Sequence, residues 1–226
     1  MTGLTGVGLV LFVIFHLAGN LTLLAGPDAF NAYAHELHEL GGLLLAAELG
    51  LLALFLFHAT SAIAVWVEGR RARTVRNTLE RSKGYPSRQT LASRSMILTG
   101  AVLLVFTVFH VLHFRLGPGI EEGYVATLDG KEVRDLYRLV VEAFHGPAYV
   151  VGYVAVMVLL GFHLRHGFWS AFQTLGLLDR RLQPIAYAAA LGVGAILALG
   201  FLFLPLYIYF FVPEPGAVGV AWVTGP

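Results

Sequence analysis

The chain contains no cysteine. That absence removes disulfides, iron–sulfur ligation, a thiol nucleophile and the C-x-x-C-H attachment of a c-type haem. Charge is scarce as well: 13% of the 226 residues are Asp, Glu, Lys or Arg, against 57% hydrophobic. A soluble domain carries charge over most of its surface, and this chain has too little to do so. The formal net charge of +1 leaves no basic face of the kind a nucleic acid requires. No Gly/Ser linker or low-complexity tract divides the sequence, which predicts one domain over residues 1–226.

What the chain does have is long apolar runs. A membrane helix needs roughly 20 apolar residues to cross a hydrocarbon core about 30 Å thick. Five stretches meet this, at about 4–25, 42–66, 95–116, 139–164 and 185–212. The first lacks a basic lead-in and is read as a retained span, not a cleaved leader. The expected fold is all-α and integral to the membrane, with five transmembrane helices. The loop at 68–94 holds Arg70, Arg71, Arg73, Arg76, Arg81, Lys83, Arg88 and Arg94 against Glu68 and Glu80. The link after the fourth span holds Arg165, Arg180 and Arg181 against Asp179, while the other loops are acidic or balanced. The positive-inside rule then predicts a cytoplasmic N-terminus and an outer C-terminus. The basic run Arg70–Arg88 reads as a topology signal and a contact surface for a protein partner or anionic lipid.

Nine histidines in so apolar a chain call for a reason. Four of the five spans carry the dipeptide Phe-His: Phe15-His16, Phe57-His58, Phe109-His110 and Phe162-His163. Ionisable groups within hydrocarbon are costly and face a cofactor, a cavity or a partner; a single one also serves as interhelical glue. Depth sorts the four. His16 lies past the middle of an outward helix, and His110 about seven residues, ~10 Å, from the outer end of another. His58 lies about eight residues, ~12 Å, before the inner end of its helix, and His163 is expected close to the inner end of the fourth. Two b haems stacked across the bilayer within helices one to four, His16 with His110 outside and His58 with His163 inside, account for this sorting. Bis-imidazole ligation fills both axial positions, so such a haem carries electrons. Zinc or a di-metal site would gather its ligands at one level and add carboxylates, and only Glu48 lies clearly within a span. His113 and His166 follow His110 and His163 by three residues on the same face and are alternative ligands; the first of each pair shares the Phe-His pattern and is preferred.

At these residues the chain resembles the cytochrome b membrane-anchor subunit of succinate:quinone oxidoreductases (succinate dehydrogenase and fumarate reductase), in the single-chain, five-helix, di-haem class. The matching pieces are Phe15-His16-Leu17-Ala18-Gly19-Asn20, Arg94-Ser95-Met96 leading to Thr99-Gly100, Phe109-His110-Val111-Leu112-His113-Phe114, and the run from Phe162-His163 through Arg165, His166-Gly167 and Trp169-Ser170 to Gln173. The last is the most specific. The resemblance implies an electron-transfer subunit of respiratory complex II and the tricarboxylic acid cycle, in a bacterial inner membrane, with no residue catalytic toward the dicarboxylate. It implies an iron–sulfur subunit and a flavoprotein subunit on the cytoplasmic face, which carry the Fe–S clusters and FAD. It also implies two haem b groups on the four histidines, paired as depth pairs them, and menaquinone as electron partner. The short uncharged stretch before Leu4 departs from the family, which often has a longer basic segment there.

Further residues are assigned by chemistry. Haem propionates need cationic or hydroxyl partners, and Arg94, Ser95, Arg165 and Gln173 are candidates. Quinone chemistry needs a proton donor at a polar edge, and Glu36, His38, Glu39, Glu48, Glu142 and His145 fall near the outer side, with His38, Glu39, Glu48 and His145 the leading candidates. An inner quinone site near Arg94 and His166 is the alternative. Gly41-Gly42 and the Gly192/Gly194/Gly200 run are read as close helix packing. Pro147 and Pro205 are expected to kink their helices. Trp66, Trp169, Tyr207 and Tyr209 are read as interfacial belt residues. The 118–136 loop is expected to hold a short helix before Tyr137. Two other functions fit the sequence: a cytochrome b anchor for a hydrogenase or another quinone-linked dehydrogenase, and a transporter using buried histidines as proton relays.

Overall fold

The computed structural model describes residues 2–72 and 91–215, and of 91–94 the backbone alone. Most of the basic run Arg70–Arg88 and the side chain of Arg94 therefore lie outside the described residues. In chain order the elements are α1 (Thr2–Leu21, prolonged by a 3-10 turn Thr22–Ala25), α2 (Pro27–Glu39), α3 (Gly42–Arg71) and α4 (Leu91–His110, continued by a π-turn Val111–Arg115). The hairpin β1 (Val125–Leu128) and β2 (Lys131–Arg134) follows, then α5 (Leu136–His145), α6 (Pro147–Thr174) and α7 (Leu182–Phe211). Among the described residues, five helices are long and apolar enough to span a bilayer: Thr2–Ala25, Gly42–Arg71, Ser95–Arg115, Pro147–Thr174 and Leu182–Phe211. Their outward faces are apolar, as with Leu98, Val105, Ile196 and Phe210, each about two-thirds exposed. Only a lipid environment tolerates such a surface, and the chain is an all-α, multi-pass membrane protein.

Helix contacts define a four-membered ring. α1 touches α3 and α6, and α4 touches α3 and α6, so α1 and α4 stand on one diagonal and α3 and α6 on the other. α7 lies outside the ring against α6 and α1. The α6–α7 seam depends on small residues: a Cβ on Gly194 would come within 3.1 Å of the Arg165 backbone nitrogen. Dispersion between closely approaching backbones holds helices together where both sides are equally apolar. Gly200 likewise meets Leu17 of α1, whereas Gly192 has open space and Gly41 has φ +53° in the turn between α2 and α3. Gly41-Gly42 thus makes a turn, not a packing seam. Trp169, expected at the interface, is buried between α6 and α7 with Ala186 and Ala190.

The fourth span differs most from its predicted bounds of 139–164. Its apolar run is two helices. Gly146 is extended (φ −73°, ψ 112°) and Pro147 opens α6, a position where its missing N–H costs nothing. Pro147 therefore starts a helix and does not kink one, while Pro205 does lie inside α7. α5 before it is amphipathic, burying Leu139, Val140, Val141 and Phe144 against the ends of the bundle. Because α6 runs on to Thr174, His163 lies three turns from its C-terminus, deeper than predicted.

α2, the hairpin and α5 cap one end of the bundle. The hairpin replaces the short helix expected before Tyr137: Asp129 and Gly130 both take positive φ, the turn geometry that Asp-Gly favours between paired strands. Asn31, 1% exposed, ties this cap together. Its amide donates to Asp135 Oδ1 at 2.9 Å and its carbonyl accepts from the Tyr137 N–H at 2.9 Å, while Asp135 caps α5 by accepting from the Arg138 N–H. Glu142 accepts from Tyr124 and from Arg138, each at 2.7 Å. Burial pulls its carboxyl up, but those two hydrogen bonds and the Arg138 charge outweigh burial and hold it below the usual carboxylate value.

Two outcomes follow for the cap. Asn31→Leu leaves the buried Tyr137 N–H without its acceptor and takes one of two donors from Asp135 Oδ1, and thermal unfolding in detergent should show a loss of about 2 kcal/mol. Glu142 has a depressed folded pKa, so its contribution is complete above the unfolded value of ~4.3 and disappears as pH falls through the lower folded one. Melting temperature should fall on acidification through that window, and less steeply in Glu142→Gln.

Candidate functional site

The interior of the ring is where the Phe-His histidines meet. His16 on α1 and His110 on α4 face one another across the first diagonal, ring centroids 5.7 Å apart and rings edge-on at 86°. His58 on α3 and His163 on α6 stand at the corners of the second diagonal, each against a threonine of a neighbouring helix. The two pairs occupy different levels. Thr5, which touches His58, precedes His16 on α1 by eleven residues, and Thr99, which touches His163, precedes His110 on α4 by eleven residues. At 1.5 Å per residue both helices separate the levels by ~16 Å.

The inner pair has its tautomer set by threonines. Thr5 Oγ1 lies 3.1 Å from Nδ1 of His58, and Thr99 Oγ1 lies 3.0 Å from Nδ1 of His163. A hydroxyl has one proton to give. The Thr2 carbonyl is within reach of the Thr5 hydroxyl, and the Ser95 and Met96 carbonyls of the Thr99 hydroxyl; a hydroxyl that donates there has its oxygen left to accept from an imidazole N–H. Nδ1 then bears the hydrogen and Nε2 presents a lone pair, the form that ligates a metal. Beside each threonine stands a glycine that makes room for the ring: a Cβ on Gly6 or on Gly100 would come within 3.4 Å of Cε1 of His58 or His163.

These contacts expose an internal repeat. The segment Thr5–His16 aligns with Thr99–His110 without a gap and is identical at Thr5/Thr99, Gly6/Gly100, Leu9/Leu103, Phe12/Phe106, Phe15/Phe109 and His16/His110. The structure uses the repeat in matching ways: Phe12 packs on His16 at 5.3 Å and Phe106 on His110 at 5.6 Å. The outer pair departs from this symmetry. His110 Nδ1 lies 3.1 Å from the Tyr153 hydroxyl, whereas the His16 ring has no hydrogen-bond partner among the described residues.

The paired histidines suit an axially ligated iron. They come two by two, and among the described residues no three metal-ligating side chains converge. The outer rings, 5.7 Å apart centroid to centroid, are close enough for one metal ion to be shared between them. His113 packs away from His16, against Phe109, Phe114 and Tyr149, with its Nδ1 2.7 Å from the Tyr149 hydroxyl. His166 is half-buried next to Arg165 and has no hydrogen bond among the described residues.

The other predicted residues are scattered. Arg165 donates to the Tyr187 hydroxyl and lies over its ring at 5.4 Å, which turns it toward α7. Gln173 is exposed and Ser95 half-buried. Glu48 is held by Arg115 through two bonds, Nε to Oε1 at 2.6 Å and Nη2 to Oε2 at 3.2 Å. His145 is clasped between backbone carbonyls, Val141 at 2.8 Å and Val212 at 3.0 Å. His38 and Glu39 are exposed at the end of α2, as is Glu36. The four quinone candidates therefore have separate surroundings and are not brought together. Thr5, Gly6, Tyr149 and Tyr153 were not singled out from sequence. The repeat could have flagged the first two, and the four-residue spacing of two tyrosines the others. Comparison of the chain with protein-family models, with curated proteins and with solved structures gives no match.

Proposed function

We propose that this chain is the membrane-anchor cytochrome b of a succinate:quinone oxidoreductase, holding one haem b on His16 and His110 and a second on His58 and His163. One observation carries the haem reading: four membrane-depth histidines pair across the two diagonals of one helix ring, at two levels, and two of them have Nδ1 against a threonine hydroxyl that also has a backbone carbonyl to donate to. Assignment to the succinate-linked class rests on the sequence resemblance, above all on the run from Phe162 to Gln173. Bound to two imidazoles, haem b supplies one-electron transfer with no open coordination position.

The chain's own residues do the rest. Thr5 and Thr99 orient the inner imidazoles, and Phe12 and Phe106 pack against the outer ones. On this reading the basic loop after α3 faces the cytoplasm and receives the iron–sulfur subunit, with the flavoprotein beyond it. The capped end faces outward, and menaquinone is the electron partner. The membrane is the bacterial inner membrane.

Purified with haem supplied, the chain should bind two haem b groups by pyridine haemochrome, falling toward one in His58→Ala and in His16→Ala. A well-folded chain that binds none would remove the cytochrome reading. Thr99→Val keeps the shape of the side chain and deletes the hydroxyl. It should weaken retention of the inner haem by ~10- to 100-fold, read by haem transfer to an apo-globin acceptor. Affinity purification from native membranes should bring down a flavoprotein and an iron–sulfur protein with succinate dehydrogenase activity, and a hydrogenase or formate dehydrogenase in their place would reassign the anchor.

A further inference from the structure

A chain of hydrogen bonds leads away from His110. Its Nδ1 lies 3.1 Å from Tyr153 Oη, Tyr153 Oη lies 3.3 Å from Tyr149 Oη, and Tyr149 Oη lies 2.7 Å from Nδ1 of His113. The tyrosines stand one turn apart on α6 with rings stacked at 4.8 Å. The histidines stand three residues apart, where α4 passes into its π-turn. Phe106, Phe114 and Phe144 pack around Tyr153, which is 8% exposed, so the inner part of the chain is walled by aromatic rings. Single-turn π segments inside helices recur at functional sites, and this one carries His113 toward Tyr149.

Proton counting fixes how such a chain can be filled. Three bonds need three protons, and each tyrosine has one to give. When both hydroxyl protons stay within the chain, the third comes from one histidine Nδ1 and the other histidine accepts. Two fillings exist, running in opposite directions. A His110 that binds iron through Nε2 carries its hydrogen on Nδ1, which selects the filling that starts at His110. Tyr153 then accepts from His110 and donates to Tyr149, and Tyr149 donates to Nδ1 of His113.

We propose that Tyr153, Tyr149 and His113 are positioning residues for the outer haem site, a directed hydrogen-bond chain that holds His110 as an Nδ1–H donor and strengthens its imidazole as a ligand. This rests on the haem reading above. The asymmetry of the pair concentrates the effect, because the His16 ring has no hydrogen bond among the described residues. A hydrogen bond accepted from Nδ1–H shifts electron density toward Nε2, favours ferric over ferrous iron and lowers the midpoint potential; cooperativity along the chain increases this.

The test is a spectroscopic redox titration of the haem-loaded chain, the outer haem assigned by its loss in His16→Ala. Tyr153→Phe keeps the ring and removes the hydroxyl. It should move the outer potential upward and leave the inner one in place. Tyr149→Phe should move it in the same direction by less. His113→Gln, which keeps an acceptor, should stay near wild type, while His113→Leu should follow Tyr149→Phe. Should Tyr153→Phe fail to fold, Tyr149→Phe against His113→Gln carries the same comparison. Two bound haems with an unmoved outer potential in both tyrosine variants, or equal shifts of both haems, would overturn the proposal and leave the haem reading standing. A wild-type chain that binds no haem overturns both.

Discussion

An imidazole placed in hydrocarbon must have its polar atoms met, and the ring of four helices is arranged around that requirement. Water is not at hand to satisfy a ring nitrogen at membrane depth, and an unmet polar group there costs several kcal/mol. Each helix of the ring contributes one such group, and the neighbours of each are hydroxyls, glycines or aromatic rings. The hydroxyls are themselves anchored. Thr5 and Thr99 have carbonyls of their own helices to donate to, and a hydroxyl that does so leaves its oxygen to accept from the imidazole. The outer rings stand 5.7 Å apart with no hydrogen bond between them, and a ring nitrogen that no hydroxyl meets still needs a partner. The proposed irons answer that need.

The pattern of halves gives this arrangement its economy. α1 and α4 present the same Thr-Gly and Phe-His pieces at the same spacing, and each therefore serves both levels: its threonine meets an inner histidine, and its own histidine belongs to the outer pair. One segment used twice builds two sites, provided the helices stand on opposite corners. The diagonal placement of α1 and α4 meets that condition. α3 and α6 supply the inner histidines without a threonine of their own for the task. The outer pair cannot borrow from the repeat in the same way, because Thr5 and Thr99 are already spent one level below. Its polar contact comes instead from α6, on one side only.

What was legible in the sequence was whatever depends on period and composition. Five apolar runs gave five spanning helices, and α1, α4 and α7 fall within a few residues of their predicted bounds, because hydrocarbon thickness fixes how long an apolar run must be. The fourth span was misplaced because 139–164 is apolar throughout, and hydropathy does not see that Gly146-Pro147 divides an amphipathic cap helix from a spanning one. That error also placed His163 too near a helix end. The inner level given to His163 had rested on that end distance; in the structure its level is set by contact with Thr99, eleven residues before His110 on α4. Asp129-Gly130 was a hairpin signal hidden by the acidic character of its loop. Trp169 was assigned to the interface by residue type, whereas the small residues Ala186 and Ala190 of α7 open a slot that buries it.

Single charged residues were less legible than histidines, for a physical reason. The chemistry assigned to Glu48 assumed an unpaired carboxylate inside the membrane. Arg115, at the end of the following span, reaches it with a fork of two hydrogen bonds, and the pair sits half-exposed on the flank of the bundle, where a long arginine can keep its head near the interface. A carboxylate so engaged is a structural tie between α3 and α4 before it is a proton donor. His145 is similar: two carbonyls compete for its ring nitrogens, one from its own helix and one from the end of α7, so its role is to fasten the cap to the bundle. Sequence spacing within one helix finds groups that share a face. It does not find the partner that arrives from another helix, and in a membrane bundle that partner decides whether an ionisable residue is a brace or a site.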